Sequence, residues 1–375
     1  MDFSQLIAEL TKGLAAFQFG NAVMIGVGAG LIWLAVAKEY EPVLLLPIGV
    51  GCLLANVPLT GMTEGGGVLA VLYRAGIGTE LFPLLIFIGV GAMIDFSPLL
   101  AQPKMVLLGA AGQFGIFGTL ILATMLGFPL NQAASIGVIG AIDGPTSIFV
   151  ASKLAPEILA PIAVAAYSYM SLIPIIQPPI MRLMTTRAER RIRMEYAPRP
   201  VSRRARVIFP VAVTLVVGLL VPDATPLISM LMLGNLLRES GVVERLNKAA
   251  QNEIINIATL FLGLTIGSTM SAASFLNLAT LQIMLLGLLA FALDTVAGLL
   301  FGKLMAFFSR GAINPLIGAA GISAFPMAGR LAARLAQEED FENFILMHAM
   351  GANTAGQLGS VIAGGVLLAL VSGLV

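Results

Sequence analysis

Asp143 is a carboxylate inside a long apolar stretch, in the run Gly140, Ala141, Ile142, Asp143, Gly144, Pro145, Thr146 and Ser147. An ionised group at membrane depth is expensive unless it is paired or binds a cation, so it is a functional site by default. The flanking glycines and Pro145 interrupt a helix and free backbone carbonyls, while Thr146 and Ser147 add hydroxyls. Those are hard oxygen ligands suited to sodium or a proton. A second run, Gly311, Ala312, Ile313, Asn314, Pro315, Leu316, Ile317 and Gly318, echoes the first with an amide in place of the acid. Asn314 cannot titrate, so it reads as a ligand and Asp143 as the switch. A polar break in each half of the chain implies an ion pathway.

Beyond Asn314, the residues Gly318, Gly321, Ser323, Pro326 and Arg330 describe a broken helix with one hydroxyl and one permanent cation. Arg330 is able to take an anion bidentately; its alternative role is snorkelling to the surface beside Arg334. Tyr167, Ser168 and Tyr169 form a polar stretch before Pro174, Gln177, Pro178 and Pro179. Asn353, Thr354 and Gln357, bracketed by Gly351, Gly356 and Gly359, add oxygen donors to the last apolar segment, where small-residue packing is the competing explanation. Asp95 precedes Ser97 and Pro98 and reads as a cap, whereas Asp294 inside a long apolar window suits a proton path or a pairing with a hydroxyl. The single His348 and single Cys52 support no triad, zinc site or disulfide.

These residues need a membrane scaffold. Of 375 residues 58% are apolar and 11% charged, with a mean hydropathy of +0.95, which excludes an ordinary soluble domain. No basic face with interleaved aromatics points to nucleic acid. Strict short-period alternation, the mark of a β-barrel, is missing. Windows able to cross the hydrocarbon lie near residues 18–37, 42–59, 82–100, 105–127, 131–152 and 157–181. A second series lies near 207–221, 224–237, 253–273, 279–308, 311–335 and 344–373. Residues 1–17 place Phe3, Leu6, Ile7, Leu10, Leu14 and Phe17 at helical spacing, which predicts an interfacial amphipathic helix rather than a cleavable leader.

Nine basic residues, from Arg182 to Arg206, mark the connection 182–206 as cytoplasmic. It separates two similar units, 18–181 and 207–375. Leu53, Leu54, Ala55, Asn56 and Gly61 recur as Leu231, Met232, Gly234, Asn235 and Gly241. Lys38 puts the start of segment 42–59 inside, whereas Arg238, Arg245 and Lys248 put the end of the matching second-half segment inside, which predicts that the units are inverted. Between the outer loop near residues 60–80 and Arg182 four apolar segments intervene where an odd number of crossings is needed. One must turn back, either around Asp143 or in the stretch from Gly89 to Ile94. The expected fold is therefore an all-α polytopic membrane protein of two inverted repeats with broken helices or re-entrant hairpins, resembling elevator transporters.

Three motifs, GAIDGPTSIFVASKLAP at 140–156, AYSYMSLIPIIQPP at 166–179 and NPLIGAAGISAFPMAGR at 314–330, resemble the β subunit of the sodium-translocating biotin-dependent decarboxylases. That family contains the oxaloacetate, methylmalonyl-CoA, glutaconyl-CoA and malonate decarboxylase pumps. Ile142 departs from the pattern, where a small residue is common. The resemblance implies that Asp143 binds sodium in alternation with a proton with Tyr169 nearby, that Asn314, Gly318, Ser323 and Asn353 contribute to sodium binding, and that Arg330 handles carboxybiotin. It further implies decarboxylation of carboxybiotin coupled to sodium export in the cytoplasmic membrane of a bacterium or archaeon. The implied partners are a carboxyltransferase subunit, a biotin carrier domain, a small membrane subunit and further copies of this chain. Two alternatives compete: a sodium-coupled transporter of an organic anion, and a noncatalytic membrane anchor.

Overall fold

The computed structural model describes residues 3–195 and 200–374, so Met1, Asp2 and Arg199 lie outside it, and every regular element among the described residues is helical. The first, α1 (Phe3–Ala15), leaves Leu10 and Leu14 exposed, as an interfacial helix would. Five helices among the described residues are long and apolar enough to span a bilayer, or up to seven if each bent pair is one span. The sequence offers more windows than that because hydropathy registers apolar content alone. It cannot distinguish a straight crossing from a segment that folds back.

Two runs of helices follow α1 in the first half of the chain. In the first, α2 (Phe19–Ala37), α3 (Pro42–Ala55) and α4 (Leu81–Met93) stand before the Asp143 segment. In the second, α5 (Val106–Ala111) and α6 (Phe114–Met125) are two parts of one apolar span broken at Gly112 and Gln113. Then α7 (Leu130–Gly137) and α8 (Gly144–Leu154) flank Asp143, and α9 (Leu159–Met184) leads to the Arg-rich connection. The two halves of α9 are bent by 63°; Pro174 lacks the N–H that would bond Met170 and so weakens the helix at that point.

The later half supplies α10 (Arg203–Leu220), α11 (Thr225–Ser240), α12 (Ile255–Ser268), α13 (Leu278–Phe308), α14 (Met327–Glu339) and α15 (Leu346–Ser372). Packing between the halves is reciprocal: α3 lies on α12 as α11 lies on α4. Asn56 Nδ2 donates to Met270 O at 2.7 Å, and its counterpart Asn235 donates to Ile94 O at 3.0 Å. Glycines allow these helices to meet at backbone distance: a Cβ on Gly51 would lie 2.2 Å from Leu264 O, and one on Gly234 would lie 2.0 Å from Ile88 O.

The segment around Asp143 turns back. Asn131 Nδ2 donates to Leu154 O at 2.9 Å, Gln132 Nε2 to Glu157 at 2.8 Å and Ser147 Oγ to Val138 O at 3.3 Å, so α7 and α8 are antiparallel legs of one hairpin. The other candidate, from Gly89 to Ile94, lies almost wholly in continuous helix α4. A second hairpin occupies residues 314–343. Asn314 and Asn343 both donate to Arg190 O at 3.0 Å, bringing its two ends together. The hairpins meet tip to tip, with Ser323 N–H donating to Ala141 O at 3.2 Å. Their bases lie toward opposite ends of α15, which begins just past Asn343 and near its far end carries Gly364 against Thr146 and Val150 of α8.

Helix α9 ends at Met184 and α10 begins at Arg203, so the connection is a segment of 185–202 pinned to the second hairpin. Arg190 is buried and pairs with Glu339 at 2.5 Å, and Arg193 pairs with Asp340 at 2.7 Å. Hydrogen bonds from Arg190 and Arg193 hold the Glu339 and Asp340 carboxyls below the usual carboxylate range.

Candidate functional site

Asp143 closes the first hairpin at the N-cap of α8, directly after Ile142, whose left-handed backbone (φ 55°) is uncommon for a β-branched residue. Its Oδ1 accepts the Thr146 N–H at 3.3 Å. Its Oδ2 accepts three donors, Thr146 Oγ1, Gln357 Nε2 and Ser360 Oγ, each at 2.7 Å. The carboxyl group therefore lies at the positive end of α8 and accepts four hydrogen bonds. Gln357 and Ser360 come from α15, one and two turns beyond Asn353, so one face of that helix serves the site.

The second hairpin completes the enclosure. Ser323 Oγ donates to Gly356 O at 2.9 Å, and Asn353 Nδ2 donates to Ile322 O at 2.7 Å. Asn353 Oδ1 is buried with no hydrogen-bond partner among the described residues. Such an atom is costly unless a cation or water meets it. A Cβ on Gly356 would lie 2.1 Å from Gly321 O, so only glycine lets α15 approach the hairpin this closely. Asp143, Ser323, Gln357 and Arg330 share the wall of one cavity of about 500 Å³. Met93, Met170, Met347, Met350 and Phe325 give that cavity a pliable apolar lining, and Asp95 and Arg238 complete its polar wall. Arg330 is exposed and forms no ion pair among the described residues, whereas Arg334 pairs with Glu338 at 3.4 Å.

The structure brings Asp143, Ser323 and Arg330 to one cavity and binds Asn353 to the carbonyl of Ile322, next to Ser323, but sets other expected ligands apart. Asn314 sits at the base of the second hairpin, with Nδ2 bonded to Arg190 O and Ile192 O and Oδ1 accepting Leu316 N–H at 3.0 Å. Gly318 packs on α13, where its Cβ would lie 2.0 Å from Gly298 O. The echo of the Asp143 motif thus falls at the foot of the second hairpin, because its tip is displaced along the sequence to Ser323. Tyr169 donates from its hydroxyl to Met284 O on α13, whereas the ring of Tyr167 covers Gly144 beside Asp143. Asp95 accepts Ser97 N–H at 2.8 Å, the expected cap, and also faces the cavity. Buried Asp294 accepts Gly115 N–H at 2.7 Å at the α5–α6 break.

Sequence reasoning missed Ser360 and Arg238. The spacing of Asn353, Gln357 and Ser360 on one helical face was the available signal for the first. No local pattern marks Arg238 as a cavity residue, since only the packing of α11 on α4 brings it there.

The chain matches the profile of the Na+-transporting oxaloacetate decarboxylase beta subunit over residues 20–371. It belongs to that family. It is 55% identical to the methylmalonyl-CoA decarboxylase subunit beta of Veillonella parvula, over 96% of both chains. It is 53% identical to the glutaconyl-CoA decarboxylase subunit beta of Acidaminococcus fermentans, again over 96% of both. The oxaloacetate decarboxylase beta chain of Klebsiella pneumoniae is 48% identical, with 96% of this chain and 97% of that one covered. Membership in this family of sodium-pumping decarboxylases supports the decarboxylase reading over a plain transporter or a passive anchor.

Proposed function

We propose that this chain is the membrane subunit that decarboxylates carboxybiotin and couples the reaction to sodium export, with Asp143 as the group that exchanges sodium for a proton. The observation that carries the reading is the convergence, in one cavity, of a buried carboxylate held by three side-chain donors and an Arg330 guanidinium free of any ion pair among the described residues. A ring-shaped, anionic ligand suits this lining, with methionines for its apolar faces and Arg330 for its carboxylate. Biotin on a partner subunit would supply the N-carboxylate that leaves as carbon dioxide, the C–N electron pair remaining on nitrogen, which takes up a proton.

In this reading Asp143 gives up that proton as sodium takes over its oxygen. Ser323 and the unpaired Oδ1 of Asn353 are the neutral oxygens proposed to share the ion, while Thr146, Gln357 and Ser360 hold the carboxylate in position. Asn314 and Gly318 serve sodium binding in this reading by fixing the second hairpin, and Tyr169 by fixing α9 against α13. Exporting one charge costs about 2.3 kcal/mol per 100 mV, so decarboxylation must be blocked unless sodium is there to replace the proton on Asp143. Hairpins closing tip to tip over Asp143 would provide that block.

The reciprocal packing of α3 on α12 and α11 on α4, with hairpins entering from opposite ends of α15, supports inverted repeats and an elevator-like movement. Near-equal identity to subunits named for different acids is consistent with the acid being chosen by a separate carboxyltransferase subunit. We assign the chain to the cytoplasmic membrane of a bacterium or archaeon, in a complex with that subunit, a biotin carrier domain, a small membrane subunit and further copies of itself. The test is decarboxylation of a carboxybiotinylated carrier in reconstituted vesicles, with sodium movement followed in parallel. Carbon dioxide release that is indifferent to sodium would overturn the proposal.

A further inference from the structure

Arg238 shares the cavity with Arg330 and has no part in the reading above. We propose that it is a second anion-holding guanidinium, kept ready by Asp95, and that an N-carboxylated ureido ligand is gripped between Arg238 on α11 and Arg330 on the second hairpin. The inference rests on the proposed role of the cavity and names the residue that would complete it.

The geometry divides the Arg238 fork into an anchored part and an exchangeable part. Its Nη1 donates to Met93 O at 2.9 Å, which orients the guanidinium plane. Its Nη2 lies 3.7 Å from Asp95 Oδ2, close enough for attraction but too far for a hydrogen bond. Its Nε is 3.4 Å from Glu239, a carboxylate that also faces Arg206 at 3.3 Å and is thus shared between two cations. Asp95 is held in place through its other oxygen by Ser97 N–H. A ligand carboxylate can offer Nη2 a full charge-assisted hydrogen bond where Asp95 offers only attraction across 3.7 Å, so an anion entering the cavity displaces Asp95 from the fork.

The location gives this exchange a consequence. Helix α11 packs on α4 and α10, whereas Arg330 rides on α14 next to the hairpin tip. An anion bridging the two arginines ties the hairpin to the opposite wall and shuts the cavity over Asp143. Ligand occupancy and closure then become one event.

The experiment uses the purified complex with two probes: free carboxybiotin for turnover, and an analogue for equilibrium binding in which the ureido nitrogen carries a CH2–carboxylate group, which keeps the anion but does not lose carbon dioxide. Arg238→Gln should raise both the KM for carboxybiotin and the Kd for the analogue about tenfold or more, with the sodium half-saturation little changed. Arg238→Lys, which keeps charge without the fork, should fall between wild type and Gln. Asp95→Asn should lower the analogue Kd, since the competing carboxylate is gone. A purely structural pair gives a different pattern: both substitutions reduce thermal stability and leave the analogue Kd unchanged, which overturns the proposal. An Asp95→Asn variant that binds the analogue more weakly overturns it as well. Wild-type complex that neither binds the analogue nor turns over carboxybiotin overturns the reading of the cavity itself.

Discussion

Ser360→Ala isolates the donor set around Asp143 without touching the carboxylate. The hydroxyl donates to Asp143 Oδ2 at 2.7 Å and lies 2.9 Å from Gln357 O, so its single proton is divided between two acceptors. A hydrogen bond to a charged group contributes about 1.5–3 kcal/mol. Sharing, together with the Thr146 and Gln357 donors that remain at 2.7 Å, places this one at the lower end. At about 1.4 kcal/mol per factor of ten, the ionised form of the site loses roughly tenfold in stability. The sodium half-saturation of decarboxylation should rise by that factor, while turnover at saturating sodium stays near wild type. The shift should widen as the medium is acidified, because a proton competes for the same oxygen and gains what the sodium form loses. Initial-rate sodium titrations of the purified complex at several pH values measure this directly. A half-saturation unchanged throughout would refute the idea that these donors poise Asp143 for sodium.

Asp143→Asn should abolish sodium-coupled turnover, since an amide can ligate but cannot exchange a proton; normal sodium uptake into vesicles would count decisively against the assignment. In single-turnover decarboxylation Arg330→Lys should weaken productive carboxybiotin binding while Arg334→Ala does little, and equal rates for wild type and Arg330→Ala would remove Arg330 from the anion site. Asn314→Ala leaves Arg190 O and Ile192 O with Asn343 as their remaining side-chain donor and exposes the hairpin base, so thermal stability in detergent should drop by an amount equivalent to about 1–3 kcal/mol; a loss of sodium affinity with no loss of stability would instead make Asn314 a direct ligand. Glu339 and Asp340 titrate below their usual values, so their pairing stabilises the fold above the unfolded carboxylate values of about 4 and is lost as pH falls through the folded ones. Melting temperature should accordingly decline on the acid side of that range, and Glu339→Gln should blunt the decline.

Much was legible in the chain itself. Apolar content with scarce charge dictates a helical membrane protein, because backbone groups in lipid must bond within their own segment. Glycine and proline around Asp143 announce a break, and a parity requirement makes it one of two candidates for the hairpin, the one that α7 and α8 form. Three motifs, at 140–156, 166–179 and 314–330, point to the family, whose profile runs over residues 20–371. For Ser323 and Arg330 residue type and order describe a broken helix ending in a cation, and their assignment to the site came from the family resemblance.

Distances between segments remote in sequence were decided only by packing. The Asn314 motif imitates the Asp143 motif so closely that sequence symmetry places both at the ion. In the fold, however, Asn314 binds the connection at Arg190, while Ser323 meets Ala141. Local sequence specifies that a helix must break, but not how far along the hairpin the tip will fall. Nor does it say which tyrosine faces the acid: Tyr167 covers Gly144 and Tyr169 reaches Met284, a difference set by the rotation of α9 against α8 and α13. Arg238 and Asp95 carry ordinary signatures, one a charge near a helix end and the other a cap. Only the close approach of α11 to α4, possible because Gly91 and Gly234 present no side chain, brings that pair to the wall of the cavity that holds Asp143.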